Sequence, residues 1–158
     1  MAFQIQSLPA EAFAPLFDLS DKELTARNAR RMIVMSKPGT PCRVSLADAD
    51  IGETVILLNY RHQKADTPFQ ASHAIFVRKD AAQAHPAVNE VPEVLQSRLI
   101  SLRLFNKSHM MIDADVVPGR HLGTAITDAF GDATVSYAHL HYAKPGCFAA
   151  SVVRASAG

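Results

Sequence analysis

The stretch Thr134-Val135-Ser136-Tyr137-Ala138-His139-Leu140-His141-Tyr142-Ala143-Lys144-Pro145-Gly146-Cys147-Phe148-Ala149-Ala150-Ser151-Val152-Val153-Arg154 reads as two strands joined by a tight turn. Proline presets its own φ and glycine accepts positive φ, so Lys144-Pro145-Gly146 supplies the turn. Aromatic and β-branched residues on either side predict strands over 134–142 and 147–154. A link this short allows only antiparallel pairing. A turn of two or four residues there pairs positions whose numbers sum to an odd total. That register sets His139 and His141 beside Phe148, Ala150 and Val152, with Val135 and Tyr137 on their own strand. By the same parity Cys147 falls on the opposite face, with Leu140 and Tyr142.

Working outward, the same signals predict strands over 3–8, 31–36, 54–60, 73–79, 99–105 and 110–117. Ser20-Asp21-Lys22-Glu23 is a capping box, which opens a helix running to about Arg30. Arg27, Arg30 and Arg31 then complement the negative end of that helix. Residues 92–98 form a short helix with Pro92 in its first turn, and 10–17 a short apolar helix or turn. The best amphipathic pattern covers 120–130, where Leu122, Ala125, Ile126, Ala129 and Phe130 form one stripe. Residues 80–92 read as a flexible surface excursion. Links are mostly of hairpin length, so the fold class is α+β: a mainly antiparallel sheet of about eight strands with three or four short helices packed on it. One domain over 1–158 is expected.

Composition narrows the partners. The 158 residues are 48% hydrophobic and 20% charged, the balance of a soluble globular chain. A net charge of +1 gives no basic face for nucleic acid and no attraction to an anionic membrane surface. No apolar run approaches the ~18 residues of a membrane span. The first nine residues lack the basic and apolar regions of a signal peptide, so a cytoplasmic location is expected. Its two cysteines, Cys42 and Cys147, are then expected to remain unbridged thiols. The oligomeric state is open.

His139 and His141 are the densest polar feature. Two residues apart in a strand, both imidazoles share a face and converge on one point. They are either satisfied within the core or line a pocket floor. A metal would need a third ligand from His73, Cys42, Asp113 or His62, and no Cys-x-x-Cys or His-Glu-x-x-His spacing occurs. No metal and no cofactor are expected. Cys42 follows Pro38-Gly39-Thr40-Pro41 and precedes Arg43, which offers a thiol beside a guanidinium, or a small buried hydrophobe. Matching the apolar faces of 99–105 and 110–117 puts Asp113 and Asp115 on the side of Ser101 and Arg103, as an Arg–Asp cluster.

Several stretches together carry a resemblance: Pro41-Cys42-Arg43-Val44-Ser45-Leu46, Gly52-Glu53 before Val55–Tyr60, Ala71–Arg78, Asp113–Gly119, and His139-Leu140-His141 followed by Gly146-Cys147. The chain resembles the bacterial single-domain family known as domain of unknown function twelve hundred and three. The resemblance covers almost the whole chain and implies no activity, cofactor or catalytic residue. The functional expectation is therefore a binding module for a small polar or anionic metabolite, with Arg43, Asn59 and Asp113 as ligand-binding residues. The alternative is a small enzyme in which Cys42 is the thiol and His139 or His141 the acid/base.

Overall fold

Ser20 accepts a hydrogen bond from the Glu23 amide while Glu23 accepts one from the Ser20 amide, each at 3.1 Å. This capping box opens α1 (Asp21–Thr25) in the computed structural model, which describes residues 1–156. The helix stops well short of Arg30. Asn28 takes a left-handed φ of 55°, and Ala29–Ile33 forms strand β2 instead. Strand pairing overrides helix propensity here, because Ala29 aligns with Leu58 and is buried. Arg31 does not serve the helix end as expected. It reaches back to Asp21 at 2.6 Å and to the Leu19 carbonyl at 2.7 Å, clamping the helix against the strand.

The eight expected strands are all present: β1 (Phe3–Gln6), β2, β3 (Thr54–Gln63), β4 (Ala71–Arg78), β5 (Leu99–Phe105), β6 (Met111–Pro118), β7 (Tyr137–Tyr142) and β8 (Phe148–Arg154). They form two antiparallel sheets rather than one. The larger has the order β1-β8-β7-β5-β6 and the smaller β2-β3-β4. The remaining helices, α2 (Glu93–Gln96) and α3 (Leu122–Ala129), are short, as the α+β class requires. The apolar stripe of α3 is confirmed, since Leu122, Ile126 and Phe130 pack with Ile100, Leu102, Leu140 and Val152 in the main core. Helices thus cover one face of the larger sheet. Its other face meets the smaller sheet, where Phe148 packs with Ile75 and Val77. No helix among the described residues is long and apolar enough to cross a membrane.

Residues 80–92 are not a loose excursion. The Ala84 amide donates to the Val44 carbonyl, and Phe3 and Asn89 bond each other through Phe3 N–H to Oδ1 and Asn89 N–H to the Phe3 carbonyl. Gln4 and Ser7 side chains add bonds to the carbonyls of Pro86 and Ala84. The segment covers the open edge of β1, which an unpaired edge strand requires. Composition signalled its lack of regular structure and could not signal its anchoring.

The β5–β6 register also departs from expectation. Arg103 faces Ala114, while Asp113 aligns with Leu104 and Asp115 with Leu102. Both aspartates therefore share the helix-side face, and the Arg–Asp cluster does not form. They lie exposed on an edge strand, each accepting from the next backbone amide at 2.8 Å. Apolar matching failed because β6 is exposed along most of its length, so hydrophobic phase did not set its register.

Gly119 ends β6 where the chain crosses α2. A Cβ there would lie 1.8 Å from the Leu95 carbonyl oxygen and 2.7 Å from that of Arg98. Backbone on both sides leaves no room for relaxation. Gly119→Ala is expected to lower the unfolding free energy by about 3 kcal/mol or more, the upper range of overpacking. Urea denaturation measures it; a loss below about 1 kcal/mol would show that the crossing yields easily.

Candidate functional site

The inner face of the larger sheet is built by alternation. Tyr137, His139 and His141 share that face of β7, and β5 sets Ser101 opposite His141 and Arg103 opposite His139. On β8 a bulge intervenes between the partners of Leu140 and His141. His141 aligns with Phe148, as the odd-sum register expects, but His139 aligns with Ser151. The one-residue slip turns Ala150 and Val152 to the helix side, under Leu140 and Ala138. The smaller sheet supplies two more imidazoles. β3 is irregular between Arg61 and Gln63, so His62 and Gln63 both turn inward. His62 stacks on Phe148 with ring centroids 5.0 Å apart, and Gln63 donates to the Tyr137 hydroxyl at 2.9 Å. His73, opposite Tyr60 on β4, lies 2.7 Å from His62 between Nδ1 and Nε2.

Four histidines thus meet between the sheets. Ring centroids are 4.8 Å apart for His62 and His141, 5.2 Å for His73 and His141, and 5.7 Å for His62 and His139. His141 is 1% exposed and His139 6%. The Gly146 carbonyl lies 2.9 Å from His141 Nδ1 and can only accept, so that nitrogen carries the proton. Its Nε2 lone pair then faces inward, 3.5 Å from Arg103 Nη1. Two buried ring nitrogens, Nδ1 of His62 and Nδ1 of His139, have no hydrogen-bond partner.

Burial penalises the charged imidazole and dominates the electrostatics. It lowers His62 and His141 to about 3 and His139 to about 4, with the positive Arg103 a lesser cause for each. His73 moves down for the same two reasons. Arg103 is itself lowered by burial, bonds Ser101 Oγ at 3.2 Å, and has no carboxylate partner among the described residues. The arrangement is four neutral imidazoles around one cation, a set that can ligate a metal ion or hold an anion.

The other sequence-selected residues lie elsewhere. Cys42 is 1% exposed among Val44, Ile75, Val77 and Phe148, and its sulphur accepts from the amides of Arg78 and Ser45 at 3.3 and 3.4 Å. Arg43 is also 1% exposed, and donates to the carbonyls of Phe148 at 2.8 Å and Pro41 at 2.5 Å. Its remaining nitrogen lies 3.0 Å from Cys147 Sγ, and both cysteines are free, as expected. Asn59 is exposed on the outer face of β3, beside Asn28 and Arg30. Asp113 is on the far side of the larger sheet. The structure brings together His139 and His141, joins to them His62 and His73 of the four candidate third ligands together with Arg103, and sets Asn59 and Asp113 on other faces, while the Cys42 sulphur accepts from backbone amides.

A separate cavity of about 550 Å³ opens beside the β7–β8 turn, walled by Pro41, Phe76, Leu99, Tyr142 and Pro145. Arg43, Arg98, Lys144 and Cys147 also line it, and no acidic residue does. Arg98 is neutralised by Asp48, which accepts from it at 2.7 and 3.1 Å, whereas Lys144 is exposed and unpaired among the described residues.

The depressed imidazoles set a pH dependence. The unfolded chain takes up protons near the ordinary value of 6.5, whereas His62, His139 and His141 fold with values of about 3 to 4. Stability is therefore full above pH 6.5 and is lost as pH falls through the window below it. Urea midpoints measured with a chelator present should decline between pH 7 and pH 5, above the range where carboxylates titrate. Equal midpoints at both ends would show that these imidazoles are not buried neutral.

Comparison with known proteins adds a family and nothing on chemistry. No curated protein and no solved structure matches the chain. Residues 39–154 match the family model described as "Protein of unknown function (DUF1203)", a span that includes β3 through β8 and every histidine of the cluster. The chain belongs to the DUF1203 family.

Proposed function

We propose that this protein binds a small molecule with an anionic head and an apolar body in the cavity beside the β7–β8 turn. The observation that carries the reading is the lining: aromatic and aliphatic walls, three cationic side chains and no carboxylate around about 550 Å³. That volume lies within the range of small-molecule sites, which are mostly apolar with a few placed polar groups. Lys144 is the free charge at the mouth. Arg43 and Arg98 hold fixed positions, both within reach of the Tyr142 ring, at 5.0 and 5.3 Å from its centroid. The paired state of Arg98 and the internal bonds of Arg43 leave Lys144 as the main selector for negative charge. Two free thiols are in keeping with a reducing compartment such as the cytoplasm.

The anionic dye 8-anilinonaphthalene-1-sulfonate is a suitable probe. It should bind one site per chain, be displaced by octanoate and not by octanol, and bind Lys144→Glu at least about tenfold more weakly, a change of about 1.4 kcal/mol. Equal displacement by octanol, or unchanged affinity in Lys144→Glu, would remove the anionic head from the reading.

A catalytic reading rests on one observation: Cys147 Sγ lines this cavity while Cys42 is sealed in the core. Covalent chemistry would therefore use Cys147, not the thiol chosen from sequence. Iodoacetamide on the native protein should modify Cys147, spare Cys42 until unfolding, and react more slowly in octanoate. Equal labelling of both thiols would contradict the burial of Cys42.

A further inference from the structure

The imidazole cluster is a different place from that cavity, and it is built on a different scale. Neighbouring ring centroids are 4.8 to 5.7 Å apart, too close to admit an organic molecule between them. One ring nitrogen each from His62, His73 and His141 lies within 4.8 Å of the other two. Tetrahedral coordination at 2.0–2.1 Å separates ligand nitrogens by about 3.4 Å, so ring rotations that close the wider pairs by about 1.4 Å at most and open the 2.7 Å contact of His62 with His73 by about 0.7 Å complete the geometry.

We propose that His62, His73 and His141 form a three-imidazole site for a divalent first-row transition ion of the zinc type, with the fourth position open toward Arg103. Two independent features support it. His141 donates Nδ1–H to the Gly146 carbonyl, the outer-shell bond that fixes the tautomer of a metal-ligating histidine and aims Nε2 inward. Buried Nδ1 atoms of His62 and His139 have no protein partner, which in a packed interior calls for a water or an ion nearby.

The donor set selects the ion. Imidazole without carboxylate suits zinc, copper or nickel and not calcium or magnesium, which need oxygen ligands. The 2.7 Å contact between His62 and His73 is an N–H of one ring donated to the lone pair of the other, and as the ion arrives the donor ring changes tautomer, its proton passing to its own second nitrogen so that both rings ligate neutral. Arg103, 3.5 Å from His141 Nε2, must swing from that lone pair. From there its guanidinium faces the open position, where an anion such as hydroxide neutralises part of the combined charge.

Chelator-stripped protein titrated with Zn²⁺ against a chromophoric chelator tests the site. One ion per chain is expected, with a rise in melting temperature and, for Co²⁺, the intense visible bands of a tetrahedral ion. His73 is half-exposed, so His73→Gln should fold and should bind Zn²⁺ at least about tenfold more weakly. His85→Gln and His121→Gln, on exposed histidines outside the cluster, should bind as the parent does. Absence of stoichiometric binding, undiminished affinity in His73→Gln, or loss in the His85 or His121 variants would each overturn the proposal.

Discussion

Arg43 is a full charge enclosed where the two sheets meet, and its donors have to be satisfied from inside the protein. Its side chain reaches the carbonyls of Phe148 and Pro41 and the sulphur of Cys147, while its backbone exchanges bonds with Phe76 and Leu8. One residue thereby joins the end of β1, β4, the start of β8 and the Pro41 loop. No carboxylate neutralises it among the described residues; carbonyl dipoles and the Tyr142 ring 5.0 Å away do so instead. A buried charge so placed is held by geometry, because any partner that moved away would leave a desolvated donor worth several kcal/mol. The arrangement therefore fixes the distance between the sheets and the position of the β7–β8 turn.

That turn connects the two sites. Gly146, with φ of 83°, presents its carbonyl to His141 on one side, while Lys144, Pro145 and Cys147 wall the cavity on the other. A side chain at 146 would be strained in this backbone conformation, which makes glycine the fitting residue there. The imidazole cluster and the cavity are thus neighbours through a few turn residues, with Arg43 anchoring the strand that follows. Any ligand that shifts the turn also shifts the bond that orients His141.

Strands and their antiparallel pairing were legible because hairpin chemistry is local: Pro145-Gly146, the Ser20 capping box and the α3 stripe each formed as read. The histidine pair was legible for the same reason, since a two-residue spacing fixes a shared face. His62 and His73 entered only as two of four candidate third ligands, because nothing local chose them over Cys42 and Asp113 and residue 62 fell in the polar link between the strands at 54–60 and 73–79, whereas β3 runs on to Gln63. Burial against the other sheet, not local propensity, keeps those residues extended. Neither irregularity in β3 or β8 has a sequence signature here, and each flips the face of its neighbours. That Cys42 is sealed in the core while Cys147 lines the cavity was not legible, because exposure of a single thiol depends on tertiary packing alone.

A core face made of leucine and phenylalanine would hold these two sheets together at lower cost. Imidazoles instead occupy it, two of their nitrogens lack partners, and an unneutralised guanidinium stands among them. Each orphaned buried nitrogen costs about 1–3 kcal/mol, a penalty a marginally stable fold does not carry without compensation. Elsewhere the chain follows the rules of polar satisfaction closely: Glu53 takes Arg78 in two bonds of 2.8 and 2.9 Å, and Asp48 takes Arg98 in two. Among the described residues the buried side-chain nitrogens without a partner are gathered at one spot, on strands of both sheets. Concentrated violations of this kind mark places where a sequence serves function over stability. In this fold the unpartnered nitrogens fall on the face shared by His62, His73, His139 and His141, and that concentration is what the proposed ion would offset.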